Sequence, residues 1–202
     1  MIDHPLAHDA LMELRDVGTP PPAFRRAATR ISLLLAAEAL RALPTVVTTV
    51  TTPLGPADGR VVRTDIVVVP VLRAGLSMLD AVLQLVPAAR VGHIGLQRDE
   101  ATAVASRYYS KLPPDIGDSH VMMVDPMLAT GGSSAAAIDL VKAGGARRIS
   151  LVCVISAPEG IALLQERHPD VAVYTPAVDR ELNEHKFIVP GLGDFGDRLY
   201  GT

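Results

Sequence analysis

With 202 residues, 49% of them hydrophobic and 20% charged, the chain can bury a full core within one domain and is not composed like a disordered segment. A net charge of −3 at pH 7 supplies no basic field for nucleic acid, and 3% aromatic residues without Trp offer no platform for stacking bases. The single cysteine, Cys153, stands in the apolar run Leu151-Val152-Cys153-Val154-Ile155 and reads as a core residue; with no apolar run near the roughly 18 residues of a membrane span and no leader pattern, the expected location is the cytosol.

Pro20-Pro21-Pro22 stops one segment and opens a helix expected over Ala23–Leu43, closed by Pro44. Thr45–Thr52 is β-branched and reads as a strand. Beyond the loop Pro53–Gly59, a second strand at Arg60–Thr64 would complete a hairpin arm, so residues 1–64 form an amino-terminal helix and β-arm. From Asp65 strands and helices alternate. Ile66–Val69 is an apolar strand with no polar alternation, as in a parallel sheet covered on both faces. A helix over Leu76–Leu85 stops at Pro87, and strands follow at Val91–Leu96 and Val121–Val124. Ser133–Lys142 is a helix ended by Gly144-Gly145, Ile149–Ile155 a strand, Pro158–His168 a helix, and Val171–Tyr174 a strand. This alternation specifies a single α/β domain with a doubly wound, mostly parallel sheet over residues 65–176, with ligands at the strands' carboxyl ends. Gln97–Pro114 is polar and long for a connector, and reads as a mobile flap.

One junction stands out. The strand Val121–Val124 ends in Asp125, and Pro126-Met127-Leu128-Ala129-Thr130-Gly131-Gly132-Ser133-Ser134 then leads into the small-residue run Ala135-Ala136-Ala137. A strand, tight turn and helix start aim backbone N–H groups and the helix dipole at an anion. Gly131 and Gly132 allow close approach of a phosphate, and Thr130, Ser133 and Ser134 add hydroxyl donors. Asp125 can accept from two neighbouring sugar hydroxyls, so the loop describes a site for a ribose 5-phosphate group; capping its own loop is the plainer role open to it. A nucleoside-triphosphate loop needs a Lys directly after the second Gly, and the next one here is Lys142. A dinucleotide fingerprint needs three spaced glycines, whereas these are adjacent.

Two arginines follow strand ends. Arg73, in Val71-Leu72-Arg73-Ala74-Gly75, is placed to clamp a diphosphate bidentately. Arg98 stands at the mouth of the flap, either as an anion contact or, like Asp99, Glu100 and Lys111, as a solvated charge. The run Phe187–Asp197 is rich in Pro and Gly and nearly uncharged before Asp194. It is expected not to be helical, and its backbone groups must find partners. His185 is read as structural rather than as a general base, His93 and His120 as satisfied strand residues, and His4, His8 and His168 as peripheral. No pair of histidines has the spacing of a zinc site.

The segment Val124–Ser133 resembles the phosphoribosyl-diphosphate (PRPP) motif of type I phosphoribosyltransferases. Pro126 stands where most of that superfamily carries a second acidic residue, as in the uracil phosphoribosyltransferases. The resemblance extends to His4-Pro5-Leu6, the Arg73 segment, Ala157-Pro158-Glu159-Gly160 and Leu182–Gly196, and so over nearly the whole chain. It implies transfer of phosphoribose from PRPP to uracil, giving UMP and pyrophosphate. Mg²⁺ would be held mainly by PRPP and water, with no direct metal ligand in the chain. The PRPP contacts would be Arg73, Arg98, Asp125 to Ser133 and Asp194, with Asp125 and Arg73 as the catalytic pair. Uracil would be read at Ile188, Gly193, Asp194 and Phe195 in a base-recognition segment, 177–202. A homodimer or homotetramer and a GTP effector are further implications. The flap departs from the family pattern at Ala101, Ala103 and Val104-Ala105-Ser106, and Ala37-Glu38-Ala39 lacks an expected aromatic.

Uracil presents O2 and O4 as acceptors and N3–H as donor. Main-chain groups fixed by Pro190 and Gly193 would match it, and cytosine reverses part of the pattern. A buried mismatch costs roughly 1–3 kcal/mol per unpaired group. Two other readings stay open: a regulatory protein on the same fold that senses UMP or PRPP, and a transferase for another base. Orotate would call for a cation in the base loop, and none lies between Phe187 and Asp197.

Overall fold

Prolines open both amino-terminal helices. The computed structural model describes residues 1–98 and 105–202, with main chain only at 98, 105 and 106. Helix α1 (Pro5–Arg15) places Pro5 where its missing N–H goes unneeded, and His4 Nδ1 accepts from the Leu6 N–H at 3.1 Å. Its buried residues Ala7, Ala10, Leu11 and Leu14 share one stripe. No helix was expected there from the sequence. Helix α2 (Pro21–Ala39) starts on the prolines and ends short of Leu43, burying Phe24, Ala28, Ile31 and Leu35.

The hairpin arm is more regular than its sequence suggests. Strands β1 (Thr45–Thr52) and β2 (Gly55–Val62) pair antiparallel from Thr52 with Gly55 back to Thr45 with Val62. The turn is therefore Pro53-Leu54, and residues 55–59, expected in a loop, belong to the second strand. The arm is almost entirely exposed, so neither burial periodicity nor the breakers Pro56 and Gly59 mark its register.

The core alternates as expected: β3 (Ile66–Leu72), α3 (Leu76–Leu85), β4 (Arg90–Val91), β5 (His93–Arg98), β6 (Ala105–Lys111), β7 (His120–Val124), β8 (Met127–Leu128), α4 (Gly132–Ala143), β9 (Arg148–Val152), β10 (Ile155–Ser156), α5 (Pro158–Arg167) and β11 (Ala172–Tyr174). The chain closes with the short strands β12 (Glu181–Leu182) and β13 (Ile188–Val189) and helix α6 (Phe195–Tyr200). The strand expected over Ile149–Ile155 divides: β9 stops at Val152, and β10 pairs instead with β8.

Seven strands form the main sheet in the order β11-β9-β7-β3-β5-β6, with β4 beside β3. All pairings are parallel except β5 with β6. That exception corrects the reading of residues 97–114 as one irregular flap. Residues 105–111 extend the sheet, and Asp99, Glu100, Ala101, Ala103 and Val104 lie outside the described residues.

Successive residues of the central strands face opposite layers. Val67, Val69, Val121, Met123 and Leu151 pack on Ile138 and Leu164 of α4 and α5. Val68, Met122, Val124 and Val152 pack in the layer of Phe24, Ile31 and Met78 from α2 and α3. Each fully buried side chain of this size contributes about 1.5–3 kcal/mol, which explains why these strands carry no polar alternation. Among the described residues, no helix is long and apolar enough to cross a membrane.

The topology creates the crevice. From β3 the chain proceeds to β5 on one side, and from β7 to β9 on the other, while β3 and β7 are neighbours with Pro70 opposite Val124. The loops leaving these two strands diverge there, at the carboxyl ends, where open α/β sheets bind ligands.

Candidate active site

A cavity of about 360 Å³ occupies that crevice. Three segments wall it: the turn after β3, the loop from β7 into α4, and the carboxy-terminal run around β13 and α6. Of the residues singled out from sequence, Arg73, Asp125, Met127, Ala129, Ser133, Ile188, Gly193, Asp194 and Phe195 line it.

The loop after β7 is built as a cradle. Asp125 N–H donates to Val152 O at 3.1 Å, which holds the residue to the end of β9. Pro126 O accepts from the Val154 and Ile155 N–H groups at 3.0 and 3.1 Å, and Leu128 O accepts from Ala157 N–H at 2.8 Å. The side chains of Pro126 and Leu128 are accordingly buried, and Leu128 is part of the core beneath the site. Gly131 caps α4 with φ +81, a left-handed conformation that strains any residue with a Cβ, and a Cβ there would also meet Gly160 O at 3.0 Å. Thr130 and Gly132 sit half-buried at this turn, with Gly132 N 3.5 Å from Thr130 Oγ1. The first turn of α4 reaches the cavity at Ser133, so the positive end of the helix dipole points toward it.

Arg73 is exposed in the turn between β3 and α3, and its peptide bond to Leu72 is cis. It makes no ion pair with a described residue, and it lines the cavity. Arg98 ends β5; its side chain lies outside the described residues. Burial pushes the Cys153 thiol well up, and the negative charge of Asp125 adds to the effect. Asp125 thus projects its charge into the protein as well as into the cavity.

The carboxy-terminal wall departs from expectation. Phe195 begins a short helix, α6, inside a run whose sequence predicts no helix. Asp194 Oδ1 accepts from Asp197 N–H at 2.9 Å and caps it, while the Phe195 ring packs edge-on against Phe24 at 5.0 Å between centroids. A capping Asp followed by an apolar anchor was the available signal. Before this helix, β12 and β13 form a hairpin whose turn is closed by Asn183 Oδ1, which accepts from the His185 and Phe187 N–H groups at 3.0 and 2.9 Å. The turn brings His185, Lys186 and Phe187 to the cavity, and of these only Lys186 carries no mark in the sequence.

Two further groups were not seen from sequence. Arg15 and Asp179 meet beneath the carboxy-terminal loop, and Arg198 ties Leu192 O to the end of α1. His168, read as peripheral, is buried between α4 and α5, with Lys142 Nζ 3.3 Å from its Nδ1. His120 is a satisfied strand residue, with Nε2 3.0 Å from Ser150 Oγ.

The comparisons agree with this architecture. The family model described as uracil phosphoribosyltransferase matches residues 1–202. A uracil phosphoribosyltransferase from Dictyoglomus thermophilum is 53% identical over 100% of this chain and 98% of its own, and one from Symbiobacterium thermophilum is 51% identical over 100% and 97%. Among solved structures, the AQ2163 protein from Aquifex aeolicus superposes with a TM-score of 0.95 at 36% identity, covering 100% of this chain and 97% of its own. A purine phosphoribosyltransferase from Pyrococcus horikoshii, at 18% identity and TM-score 0.53 over 76% of this chain and 84% of its own, shares the fold. A family model that spans residues 1–202 and relatives more than half identical over the whole chain place it in the uracil phosphoribosyltransferase family.

Proposed function

We propose that the chain transfers the 5-phosphoribosyl group of PRPP to N1 of uracil, forming UMP and pyrophosphate in pyrimidine salvage. The observation that carries the reading is the opposition, across one cavity, of Asp125 and the helix-α4 cradle to the loop Ile188–Phe195.

The 5-phosphate sits on the N–H groups of the Thr130–Ser133 turn, favoured by the dipole of α4. Asp125 accepts from the ribose hydroxyls. As the bond from C1′ to the diphosphate oxygen breaks, the sugar becomes cationic, and the nearby carboxylate gains stabilising energy that is larger in a dry site than in water. Arg73 holds the departing diphosphate and balances its growing charge, with Arg98 as its second clamp. N1 of uracil forms the new bond to C1′ and gives up its proton to water or the departing diphosphate, while Ile188 and the backbone around Gly193 hold O2, N3–H and O4. Phe195, buried behind the loop, shapes the wall.

Asp125 and Asp194 bring carboxylate oxygens to the cavity, and among the described residues no group of three His, Cys, Asp or Glu side chains forms a metal cage. Few hard oxygen donors suit a Mg²⁺ that keeps its waters and is held by the diphosphate, with Asp194 as a contact through water. Bound there, Mg²⁺ supplies charge neutralisation on the leaving group. The exposed arm residues Val46, Val47, Val50 and Leu54 support assembly as a homodimer or homotetramer, and GTP is carried as an effector on family grounds.

The test is product formation from PRPP with uracil, cytosine, orotate, hypoxanthine and adenine, with and without Mg²⁺. Uracil is expected to be the preferred acceptor by several orders of magnitude; conversion of a purine or orotate in preference to uracil overturns the reading.

A further inference from the structure

We infer that Arg15 and Asp179, which lie outside the cavity, are positioning residues that set the base loop at a fixed distance from the phosphate cradle. The inference rests on the reading of Ile188–Phe195 as the base loop.

The contacts form a closed set. Asp179 Oδ1 and Oδ2 accept from Arg15 Nη2 at 2.6 Å and Nη1 at 2.8 Å, the paired geometry that fixes a guanidinium against a carboxylate. Asp179 Oδ2 also accepts from the Gly191 N–H at 2.7 Å, and Arg15 Nη1 donates to Gly191 O at 2.8 Å. Both backbone groups of Gly191 are therefore held by one ion pair. The neighbouring Leu192 O accepts from Arg198 Nη1 at 2.8 Å, and the Arg198 guanidinium lies over the Phe24 ring at 4.6 Å. Arg15 and Asp179 have side-chain exposures of 19% and 6%, so water competes little for these bonds.

The other end of the set reaches the cradle. Asp179 N–H donates to Ser156 O at 2.8 Å, and Ser156 N–H donates to Ala177 O at 3.0 Å, which fixes Asp179 to β10. Strand β10 pairs in parallel with β8, Ser156 opposite Leu128, and Ala157 N–H donates to Leu128 O. Leu128 leads directly into Ala129 and Thr130 of the cradle. The path Gly191, Asp179, Ser156, Leu128 is made of hydrogen-bonded groups and one strand pair. It links the segment that holds the base to the segment that holds the sugar phosphate, the two partners whose reacting atoms must meet. A misplacement near 1 Å is enough to lower a rate by about 10²-fold.

The pair holds both backbone groups of Gly191, between Ile188 and Gly193, and reaches the cradle only through β10 and β8, so the expected effect falls on the base before PRPP. Arg15→Lys keeps the charge but cannot hold Asp179 and Gly191 O together, and Asp179→Asn keeps the shape without the charge. Each is expected to raise the KM for uracil at least tenfold, with PRPP affinity, measured by calorimetry on the uracil-free protein, within twofold of wild type. Guanidinium ion added to Arg15→Ala should partly restore the uracil KM, which a general loss of stability does not allow. In wild type, hydrogen exchange at the amides of Val189 and residues 191–193 should be slower than in the exposed arm, a readout that survives even if a variant fails to fold. A folded variant with uracil KM within twofold of wild type overturns the inference. So does an equal loss of PRPP affinity, or wild-type exchange as fast as the arm's. If wild type itself fails to use uracil, the functional reading fails first, and the exchange result still reports on the clamp.

Discussion

A Cβ on Gly75 would stand 2.5 Å from the carbonyl oxygen of Val124, so the turn that carries Arg73 rests directly on the strand end that carries Asp125. The same Cβ would meet Val71 O at 2.6 Å and Val71 N at 2.7 Å, all of it backbone that cannot swing aside. Gly75→Ala should therefore push the two walls of the crevice apart. The expected cost is about 1–3 kcal/mol of stability, as for an overpacked core, together with at least a tenfold rise in the KM for PRPP. Thermal unfolding and initial-rate kinetics on the one variant check both.

Asp125→Asn is expected to keep the fold and the cradle, since the Asp125 backbone bond to Val152 is untouched. Losing the charge that faces the sugar cation should lower kcat by about 10²-fold or more. Near-normal turnover in a folded variant would take Asp125 out of the mechanism.

Arg73→Ala removes an exposed guanidinium with no ion pair among the described residues, so stability should change little. Affinity for PRPP and pyrophosphate is expected to fall at least tenfold while that for uracil holds. A parallel loss of uracil affinity in titrations would show that Arg73 acts through the packing of its turn.

If main-chain groups choose the base, as proposed, exchanging a side chain in the same loop should not admit cytosine. Asp194→Asn keeps an oxygen that can still cap α6, and is expected to impair PRPP use while cytosine stays a poor acceptor. If either protein converts cytosine within tenfold of uracil, a side chain must read the base.

The clamp under the base loop sets an acid limit. Burial alone would push the Asp179 carboxyl up, but hydrogen bonds from Arg15 and the Gly191 N–H hold it below its ordinary 3.8. A carboxylate with a lowered folded pKa contributes stability that is complete above its unfolded value and is lost as pH falls through the folded one. Uracil affinity should hold from neutral pH through the ordinary carboxylate range and weaken only as pH falls through the lowered pKa of Asp179. Asp65 and Asp170 are lowered as well, by Arg90 and Lys142 respectively, so the whole fold also weakens in acid. The contribution of Asp179 is read as the difference between wild type and Asp179→Asn across that range.

The buried strands were legible because residues covered on both faces leave no polar alternation, and the cradle because strand end, paired glycines and small-residue helix have few other uses. The arm's register was not, since residues that touch nothing carry no periodicity. Helix α6 was hidden because only six residues long, and started among glycines, it depends on Phe195 finding Phe24 far away in sequence. Arg15 and Asp179 carry no local mark at all. Their pairing across 164 positions exists only once the sheet has brought α1 beneath the carboxy-terminal loop.

Cys153 lies between β9 and β10 with none of its surface exposed, and its N–H donates to Tyr174 O at 2.8 Å. Its thiol is therefore both inaccessible and reluctant to ionise. The chain thus carries an internal clock. A maleimide or iodoacetamide can reach the one thiol only when the sheet opens at the strand end that supports Asp125. The rate of modification counts those openings, and its slowing on addition of substrates would report ligand capture without any measurement of turnover.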